Sequence, residues 1–422
     1  MPPSTVTPAG SGAAYDVAGV RDQFPVLRPD GNGHAVAYLD NGATAQKPEA
    51  VIDAVSRFYR TDNANVHRGV YALSERATDA YEGARAAVAA HIGGQPREVV
   101  FTGNATESVN LVAHAWGRTH IGAGDRILVT DLEHHANLVP WQVLAAERGA
   151  ELDWAPITDE GRLDLDAFDE LLARGPKLVA ISHISNVLGT VLPVADLCAR
   201  AKAAGATVLV DGAQAAPKIA LDVEALGADF YVFTGHKLYG PTGIGVLWGR
   251  GELLGGMPPF MTGGSMIRTV EKAGPTWADV PARFEAGTPP IAQAVGLHAA
   301  IDWVNAIGLD AVGAHEAQLA SELVQGLATV PGCRVFGPPP GADRVGIASF
   351  VLDGVHPHDI SEILNRHDVC VRAGHHCAQP LMARLGVPAT SRASLGVYND
   401  SSDVQRLVDG LHDVRRVFKL DD

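Results

Sequence analysis

Cysteine, aromatic residues and basic residues are all scarce in this chain. Its 422 residues include 4 cysteines and 6% aromatic residues, and 33 lysines and arginines face 48 acidic residues, for a net charge of −15. No two cysteines stand in a CxxC pair, so we expect free thiols in a reducing cytoplasm rather than a disulfide framework. An acidic surface repels polyanions, and we expect neither nucleic acid nor anionic lipid to bind.

Long apolar runs are missing as well. No window approaches the roughly 20 apolar residues that a membrane-spanning helix needs, so we predict no membrane partner. The first residues are rich in Pro, Ser, Thr, Gly and Ala, without the basic start and apolar segment of a signal peptide. The sequence therefore predicts a cytoplasmic protein with a flexible N-terminal tail over residues 1–18.

Short apolar runs alternate with helical patterns through the middle of the chain. Predicted strands cover residues 98–102, 126–130, 177–182, 207–210, 229–233 and 244–248, and predicted helices cover 105–116, 136–148 and 194–204. Continuous apolar strands that alternate with helices indicate an α/β fold, with a mostly parallel sheet covered by helices on both faces.

The pattern changes after about residue 288. Helices are predicted over 291–307, 311–330, 358–367 and 403–418, with strands at 346–352, 369–371 and 392–395. Since a single core stops growing near roughly 250–300 residues, we predict a large domain at 19–300 and a smaller α+β domain at 301–422. The first residues are expected to pack on the small domain, and residues 251–284 are expected to form loops.

Two strand ends carry residues suited to a cofactor. Asp211 ends the apolar run VLVD, and Lys237 follows the apolar run YVFT. Ligands of open parallel sheets bind beyond the carboxyl ends of the strands. Alone, the first residue is equally well a capping aspartate and the second a loop lysine. Together they match a pyridoxal-phosphate site, where the lysine binds the cofactor and the aspartate keeps the ring nitrogen protonated.

Two loops that follow predicted strands add further candidates. In GNATE, residues 103–107, the backbone N–H groups of a helix N-terminus and the Thr106 hydroxyl are suited to a phosphate. In EHHAN, residues 133–137, the histidine pair is open to two interpretations, a metal site or an imidazole stacked on a cofactor ring. Stacking is favoured because adjacent side chains diverge on a helix and no second Cys/His pair has ligand spacing.

Cys377 differs from the other cysteines in its neighbours. It follows His375 and His376 in a glycine-containing loop, where a thiol can be reactive. A zinc site formed by these three residues is the less favoured alternative. Inert cysteines are expected at Cys198, Cys333 and Cys370. Arg392 begins a short strand in the small domain, and it is either a clamp for a substrate carboxylate or a surface arginine in an ion pair.

These motifs together resemble the SufS-type (group II) cysteine desulfurases, a branch of the class V aminotransferases among the fold-type I pyridoxal-phosphate enzymes. The resemblance extends from about residue 20 to the C-terminal helix. It is carried by YLD at 38–40, NVHRG at 65–69, EHHAN at 133–137, SNVLG at 185–189, DGAQ at 211–214, GHKLYG at 235–240, RFEAGT at 283–288 and RAGHHC at 372–377. The family fold implies a seven-stranded sheet in the large domain.

The resemblance implies a role for each matching residue. Lys237 binds pyridoxal 5'-phosphate and moves a proton, Cys377 receives the sulfur of L-cysteine, and His134 stacks on the cofactor ring. The remaining cofactor residues implied are Asp211 at the ring nitrogen, Gln214 at the phenolic oxygen, and Thr106, Thr234, His236 and, from a second subunit, Thr288 at the phosphate. Substrate residues implied are Asn186, Arg392, His67 and Arg372. No metal is expected.

The resemblance also implies partners. Such enzymes are homodimers that pass a persulfide to an acceptor for iron–sulfur cluster assembly. The segment VHPHD at 355–359 resembles the subgroup served by a zinc-binding, SufU-type acceptor, with His358 as the contact, while a SufE-type acceptor is the alternative. Selenocysteine lyase, transaminase and kynureninase activities are the alternative reactions. A non-catalytic sulfur carrier is disfavoured because Lys237, Asp211, Gln214 and His134 are all present.

Overall fold

The structure is a computed structural model that describes residues 15–31, 33–341 and 343–420. Its strands are β1 (Ala37–Tyr38), β2 (Val99–Thr102), β3 (Arg126–Thr130), β4 (Glu151–Ala155), β5 (Leu178–Ser182), β6 (Thr207–Asp211), β7 (Phe230–Thr234), β8 (Gly245–Gly249), β9 (Ile267–Glu271), β10 (Gly274–Trp277), β11 (Cys333–Phe336), β12 (Ile347–Leu352), β13 (Val369–Cys370), β14 (Arg372–Gly374) and β15 (Thr390–Ser394).

The α-helices are α1 (Val17–Arg21), α2 (Glu49–Thr61), α3 (Ala72–Ile92), α4 (Ala105–Leu111), α5 (Arg118–His120), α6 (Val139–Arg148), α7 (Leu165–Leu172), α8 (Val194–Ala203), α9 (Gly251–Gly256), α10 (Ile291–Ile307), α11 (Leu309–Ala328), α12 (Pro357–Asn365), α13 (Gln379–Leu385) and α14 (Ser401–Val417). A π-helical stretch, Val112–Gly117, joins α4 to α5. None of the helices within the described residues is long and apolar enough to cross a membrane.

A seven-stranded sheet forms the centre of the molecule, in the order β2-β8-β7-β6-β5-β3-β4. The strands from β7 to β4 run parallel, and β8 runs antiparallel to both of its neighbours. Strands β5, β7 and β8 are buried along their whole length, which explains their continuous apolar sequences. The predicted α/β fold with a mostly parallel seven-stranded sheet is confirmed.

The parallel strands bring a row of polar residues to one edge of the sheet. Thr130 ends β3, Ser182 ends β5, Asp211 ends β6 and Thr234 ends β7. All four are buried. Since parallel strands present their carboxyl ends at the same edge, residues scattered over more than a hundred positions of sequence become neighbours there.

The C-terminal part has its own antiparallel sheet, in the order β11-β12-β15-β14. Helices α11, α12 and α14 pack on it around a core that includes Leu323, Leu364 and Leu407. The N-terminal segment joins this part, because β1 pairs in parallel with β13. The boundary predicted at residue 300 falls inside α10, which is continuous to Ile307 and packs on α2 and α3.

Two segments differ from the sequence-based expectation. Residues 251–284, expected as loops, contain α9 and an antiparallel hairpin of β9 and β10, in which Thr269 pairs with Thr276. The tail predicted over 1–18 overlaps α1, which begins at Val17 with Asp16 as its cap. Tyr15 holds this end in place by stacking on His315 and donating its hydroxyl to Val397 O at 2.8 Å. Residues 1–14 lie outside the described residues.

Candidate active site

A cavity of about 210 Å³ opens at the carboxyl edge of the central sheet. It brings together most of the residues that the sequence singled out. Its walls include Thr106, His134, Asn186, Asp211, Gln214, Thr234, His236, Lys237, Arg372, Cys377 and Arg392. Residues from both sheets therefore meet in one concave site, the usual geometry for binding a small molecule.

Lys237 lies in a short 3-10 turn, Gly235–Lys237, directly after β7. Burial lowers the pKa of Lys237 to about 8, although the carboxylate of Asp211 acts in the opposite direction. Asp211 is itself buried, its Oδ1 accepts a hydrogen bond from Ala213 N at 2.9 Å, and burial raises its pKa. The cavity thus holds an amine that is easily deprotonated near a carboxylate that can hold a cation.

His134 is half-buried on the cavity wall, in the loop after β3. Burial and the charge of Lys237 lower its pKa to about 3, so the imidazole is neutral at physiological pH. Its Nδ1 accepts a hydrogen bond from Ala136 N at 3.0 Å, which leaves the proton of the neutral ring on Nε2. A neutral flat ring of this kind is suited to stack on another ring.

A polar corner of the cavity lies at the N-terminus of α4. Thr106 is exposed there in the first turn of the helix, near Thr234 and His236. Burial lowers the pKa of His236 to about 4. Hydroxyl groups and the N–H groups of a helix N-terminus form a suitable environment for a phosphate.

Arg392 is held at the opposite wall by two neighbours. Its Nη2 donates to Asp40 Oδ1 at 3.1 Å and its Nη1 donates to Asn186 O at 2.9 Å. Burial lowers the pKa of Arg392, and the carboxylate of Asp40 opposes this effect. Nε of Arg392 and Oδ1 of Asn186 are buried without a hydrogen-bond partner in the described structure. Unpaired buried polar atoms are costly, so they mark a place for a polar ligand.

Cys377 lies in the segment 374–379, which we call the Cys377 loop, and its side chain faces the same cavity. It is half-buried. His376 and Cys377 both have left-handed backbones, with φ of 52° and 55°. Such conformations are uncommon for residues other than glycine and occur often at functional sites.

The other cysteines lie in different surroundings. Burial raises the pKa of Cys198 and of Cys333 to about 12, and it also raises that of Cys370. Unlike Cys377, none of the three lines the cavity. Their surroundings match the inert thiols that the sequence predicted.

Two predicted site residues lie elsewhere in this chain. Thr288 is exposed in a second cavity, beside Gly103 and Glu107. His67 is exposed in a third cavity, where its Nε2 lies 2.9 Å from Glu82 Oε1. His358, predicted as the contact for the acceptor protein, is exposed at the start of α12, with its ring centroid 5.0 Å from that of His356.

Comparison with known proteins places the chain in a family. The model of the class-V aminotransferases matches residues 37–407. The chain belongs to this family. It is 50% identical to a protein of Streptomyces coelicolor named a probable cysteine desulfurase, over 96% of this chain and 98% of that one.

Solved structures of class-V relatives agree with the fold. An apo cysteine desulfurase of Thermococcus onnurineus is 41% identical, with a TM-score of 0.90, and the match covers 94% of this chain and 97% of that one. A mutant of the protein C-DES, with glycine covalently linked to its PLP cofactor, is 27% identical, with a TM-score of 0.79, and the match covers 93% and 99%.

Two residues that contact the cavity walls, Glu133 and Asp40, were assigned no role in the sequence analysis. Glu133 is buried, and its carboxylate accepts hydrogen bonds from Thr130 Oγ1, Asn137 Nδ2, and both N and Oγ of Ser182. Burial raises its pKa to about 7, and these hydrogen bonds oppose the rise. Asp40, the partner of Arg392, was visible only as part of the YLD motif. Ser182 lies 49 positions from Glu133 and Arg392 lies 352 positions from Asp40, so local patterns do not reveal these two contacts.

Proposed function

We propose that this protein is a cysteine desulfurase. It removes sulfur from L-cysteine, releases L-alanine and keeps the sulfur as a persulfide on Cys377. The observation that carries this proposal is one cavity that holds both a lysine with a lowered pKa and a thiol on a strained loop. Relatives at about half identity carry the same activity in their names.

The cavity fits pyridoxal 5'-phosphate. Asp211 is a buried carboxylate for the ring nitrogen, and Gln214 supplies an amide whose Nε2 donates to Gly42 O at 2.9 Å. Arg392 Nε and Asn186 Oδ1, which are buried without a hydrogen-bond partner in the described structure, support a polar ligand at these walls. His134 would stack on the ring, and Thr106, Thr234 and His236 would hold the phosphate. When bound, the cofactor supplies a ring that accepts an electron pair from the substrate.

Different side chains of the cavity then have different roles in the reaction. Lys237 Nζ would hold the cofactor, and the same amine would take the proton from the α-carbon of cysteine, for which a pKa of about 8 is well suited. Arg392 and Arg372 bind the substrate carboxylate. Asn186 already donates its Nδ2–H to His376 O at 2.7 Å, so its remaining oxygen accepts a hydrogen bond from a ligand donor.

The sulfur transfer itself is a nucleophilic displacement. Cys377 Sγ, as a thiolate, attacks the sulfur of the bound cysteine. The new S–S bond forms as the C–S bond breaks, and the electron pair of that bond stays on the β-carbon, which takes up a proton. The products are alanine and a persulfide on Cys377, so no external oxidant or reductant is required.

The purified protein loaded with pyridoxal phosphate tests this function. Incubated with L-cysteine, it should release alanine, and a reductant should release sulfide in equal amounts. Mass spectrometry of the protein before reduction should find one added sulfur on the peptide that contains Cys377. Pyruvate in place of alanine would indicate a lyase and would reject the proposal.

We further propose the group II, SufS-type subclass and a SufU-type acceptor. The support is the RAGHHC segment and the location of His358. Helix α12, whose second residue is His358, packs on β14, the strand that leads into the Cys377 loop. Ser361 Oγ donates to Val371 O at 3.2 Å, which ties the helix to that strand.

His358→Ala should reduce stimulation by a zinc-binding acceptor by about tenfold or more, because an exposed imidazole that competes for the zinc would be lost. Turnover without the acceptor should stay at the wild-type level. His356→Ala is the neighbouring control, although it also removes the ring that accepts a hydrogen bond from His358 N. Unchanged stimulation of the His358 variant would exclude this contact.

We also propose a homodimer, in which a second copy supplies Thr288 and His67 to the cavity. The support is the separation of both residues from the cavity of their own chain. An apolar groove beside the cavity exposes Val139 and Val143, and Met261 is exposed nearby. Large exposed apolar patches mark interfaces. Sedimentation should give twice the 44.2 kDa chain mass, and a monomer would reject this arrangement.

A further inference from the structure

His135 has no role in the reaction described above, yet it contacts the Cys377 loop at two points. The backbone N–H of His135 donates to the carbonyl oxygen of Cys377 at 2.7 Å. Nε2 of the His135 ring accepts a hydrogen bond from the backbone N–H of Gln379 at 3.0 Å. The two bonds therefore hold the loop at the nucleophile and at the first residue of α13.

The Cys377 loop needs such support. Two successive residues with left-handed backbones cost on the order of 1 kcal/mol or more each, and they persist only where the surroundings hold them. His376 is held by two contacts, from Asn186 Nδ2 to its carbonyl oxygen and from its own Nε2 to Thr390 Oγ1, at 2.7 and 2.9 Å. His135 makes the corresponding contacts on the C-terminal side of this strained pair, to the carbonyl oxygen of Cys377 and to the N–H of Gln379.

The direction of the hydrogen bond between Gln379 and the His135 side chain determines the protonation state of the His135 ring. The amide of Gln379 can only donate, so Nε2 of His135 must carry a lone pair rather than a proton. Burial and the nearby charge of His375 lower the pKa of His135, which keeps the ring neutral. The proton of the neutral ring then lies on Nδ1.

We propose that His135 is a positioning residue that clamps the Cys377 loop and so keeps the thiol at the cavity. The clamp follows from the contacts alone, whereas its effect on catalysis rests on the proposed desulfurase function. The neighbouring His134 contacts the cavity, and His135 acts through Cys377, so the two histidines of the pair have separate tasks.

Three substitutions of His135 test the hydrogen-bond acceptor Nε2 separately from the rest of the side chain. All keep the backbone N–H that donates to Cys377. His135→Gln can place an amide oxygen near the former position of Nε2 and so restore an acceptor for Gln379. His135→Asn is one methylene shorter and reaches only as far as Nδ1. His135→Ala removes the acceptor entirely.

Hydrogen exchange of the peptide over residues 375–385 measures the clamp directly. One net hydrogen bond corresponds to about a tenfold change in an opening equilibrium. We expect exchange at Gln379 to be about tenfold faster in His135→Ala and His135→Asn, and within about twofold of wild type in His135→Gln. Equal exchange in all four proteins, or failure of glutamine to restore protection, would overturn the clamp. If the alanine variant does not fold, the comparison of glutamine with asparagine decides.

Catalysis provides an independent measurement. With the loop released, kcat for cysteine should fall by about tenfold, in line with the opening equilibrium, while KM and the cofactor absorption stay near wild type. Lys237, Asn186 and Arg392 are untouched, which is why binding should persist. A rise in KM with kcat unchanged would overturn the proposal that His135 acts by positioning Cys377. Absence of desulfurase activity in the wild type would reject the proposed function but leave the exchange result standing.

Discussion

Replacing Cys377 by serine is expected to abolish sulfur release from cysteine, with alanine formation reduced by at least about 10³-fold. The reaction needs a thiolate, and a serine hydroxyl stays protonated near neutral pH and is a weak nucleophile. Cofactor binding should be unaffected, since Lys237 and Asp211 are untouched. The absorption change on adding cysteine should therefore remain, while alanine and sulfide disappear.

Cys333→Ser is the matched control for this experiment. Cys333 is half-buried like Cys377, but it lies at the start of β11 and does not line the cavity. It should retain activity within about twofold of wild type, because the substitution changes one atom and leaves every residue of the cavity in place. Normal alanine formation by Cys377→Ser would reject the persulfide mechanism, because the C–S bond would then break without attack by this thiol.

Lys237→Ala is expected to remove the visible absorption of the bound cofactor and to lower kcat by more than about 10³-fold. One side chain both binds the cofactor and moves the α-proton, and proton transfer alone contributes about 10²–10⁴-fold. Absorption spectra and alanine release measure the two effects separately.

Lys47→Met provides the control for a second buried amine. Burial lowers the pKa of Lys47 to about 8, the same value as for Lys237. Its Nζ, however, donates to Ala45 O and His236 O, and it does not line the cavity. The absorption band should remain in this variant. An absorption band that is retained in Lys237→Ala but lost in Lys47→Met would show that Lys47, rather than Lys237, binds the cofactor.

Lys237 also determines how the apo protein should capture its cofactor as pH changes. Only the neutral amine attacks an aldehyde, and burial lowers the pKa of Lys237 from 10.5 to about 8. The capture rate should therefore be low below pH 8, rise through pH 8 and level off above it. Stopped-flow absorbance measures this rate. A midpoint near 10.5 would show that the lysine is fully solvated in the apo protein.

Much of the fold could be predicted from local patterns. Strand β3 was predicted at its observed limits, and β5 to β8 within one residue, because each is an apolar run ended by polar or small residues. Helix α10 was predicted at its observed limits as well. The hairpin of β9 and β10 was missed because its strands are almost entirely exposed. An exposed strand has no buried face, so its sequence lacks the alternation that marks a strand.

The residues of the candidate site also fall into those that local patterns could identify and those that they could not. Asp211 and Lys237 were identified because the first ends a buried strand and the second follows one, and parallel strands bring such ends together. His135 could not be identified, because its partner Gln379 lies 244 positions away. The pairing of Asp40 with Arg392 spans 352 positions. Contacts over such distances depend on how the C-terminal sheet packs against the central one.

The sequence by itself determined the chemistry of this protein: an amine, a carboxylate and a thiol, each next to a strand or in a glycine-containing loop. Those features depend on local residue type and on periodicity, which a linear chain displays. Only the tertiary structure decided which groups meet, because packing of distant segments placed Cys377 in the cavity of Lys237. The same packing left Thr288 and His67 outside that cavity and placed His135, rather than its neighbour, under the Cys377 loop.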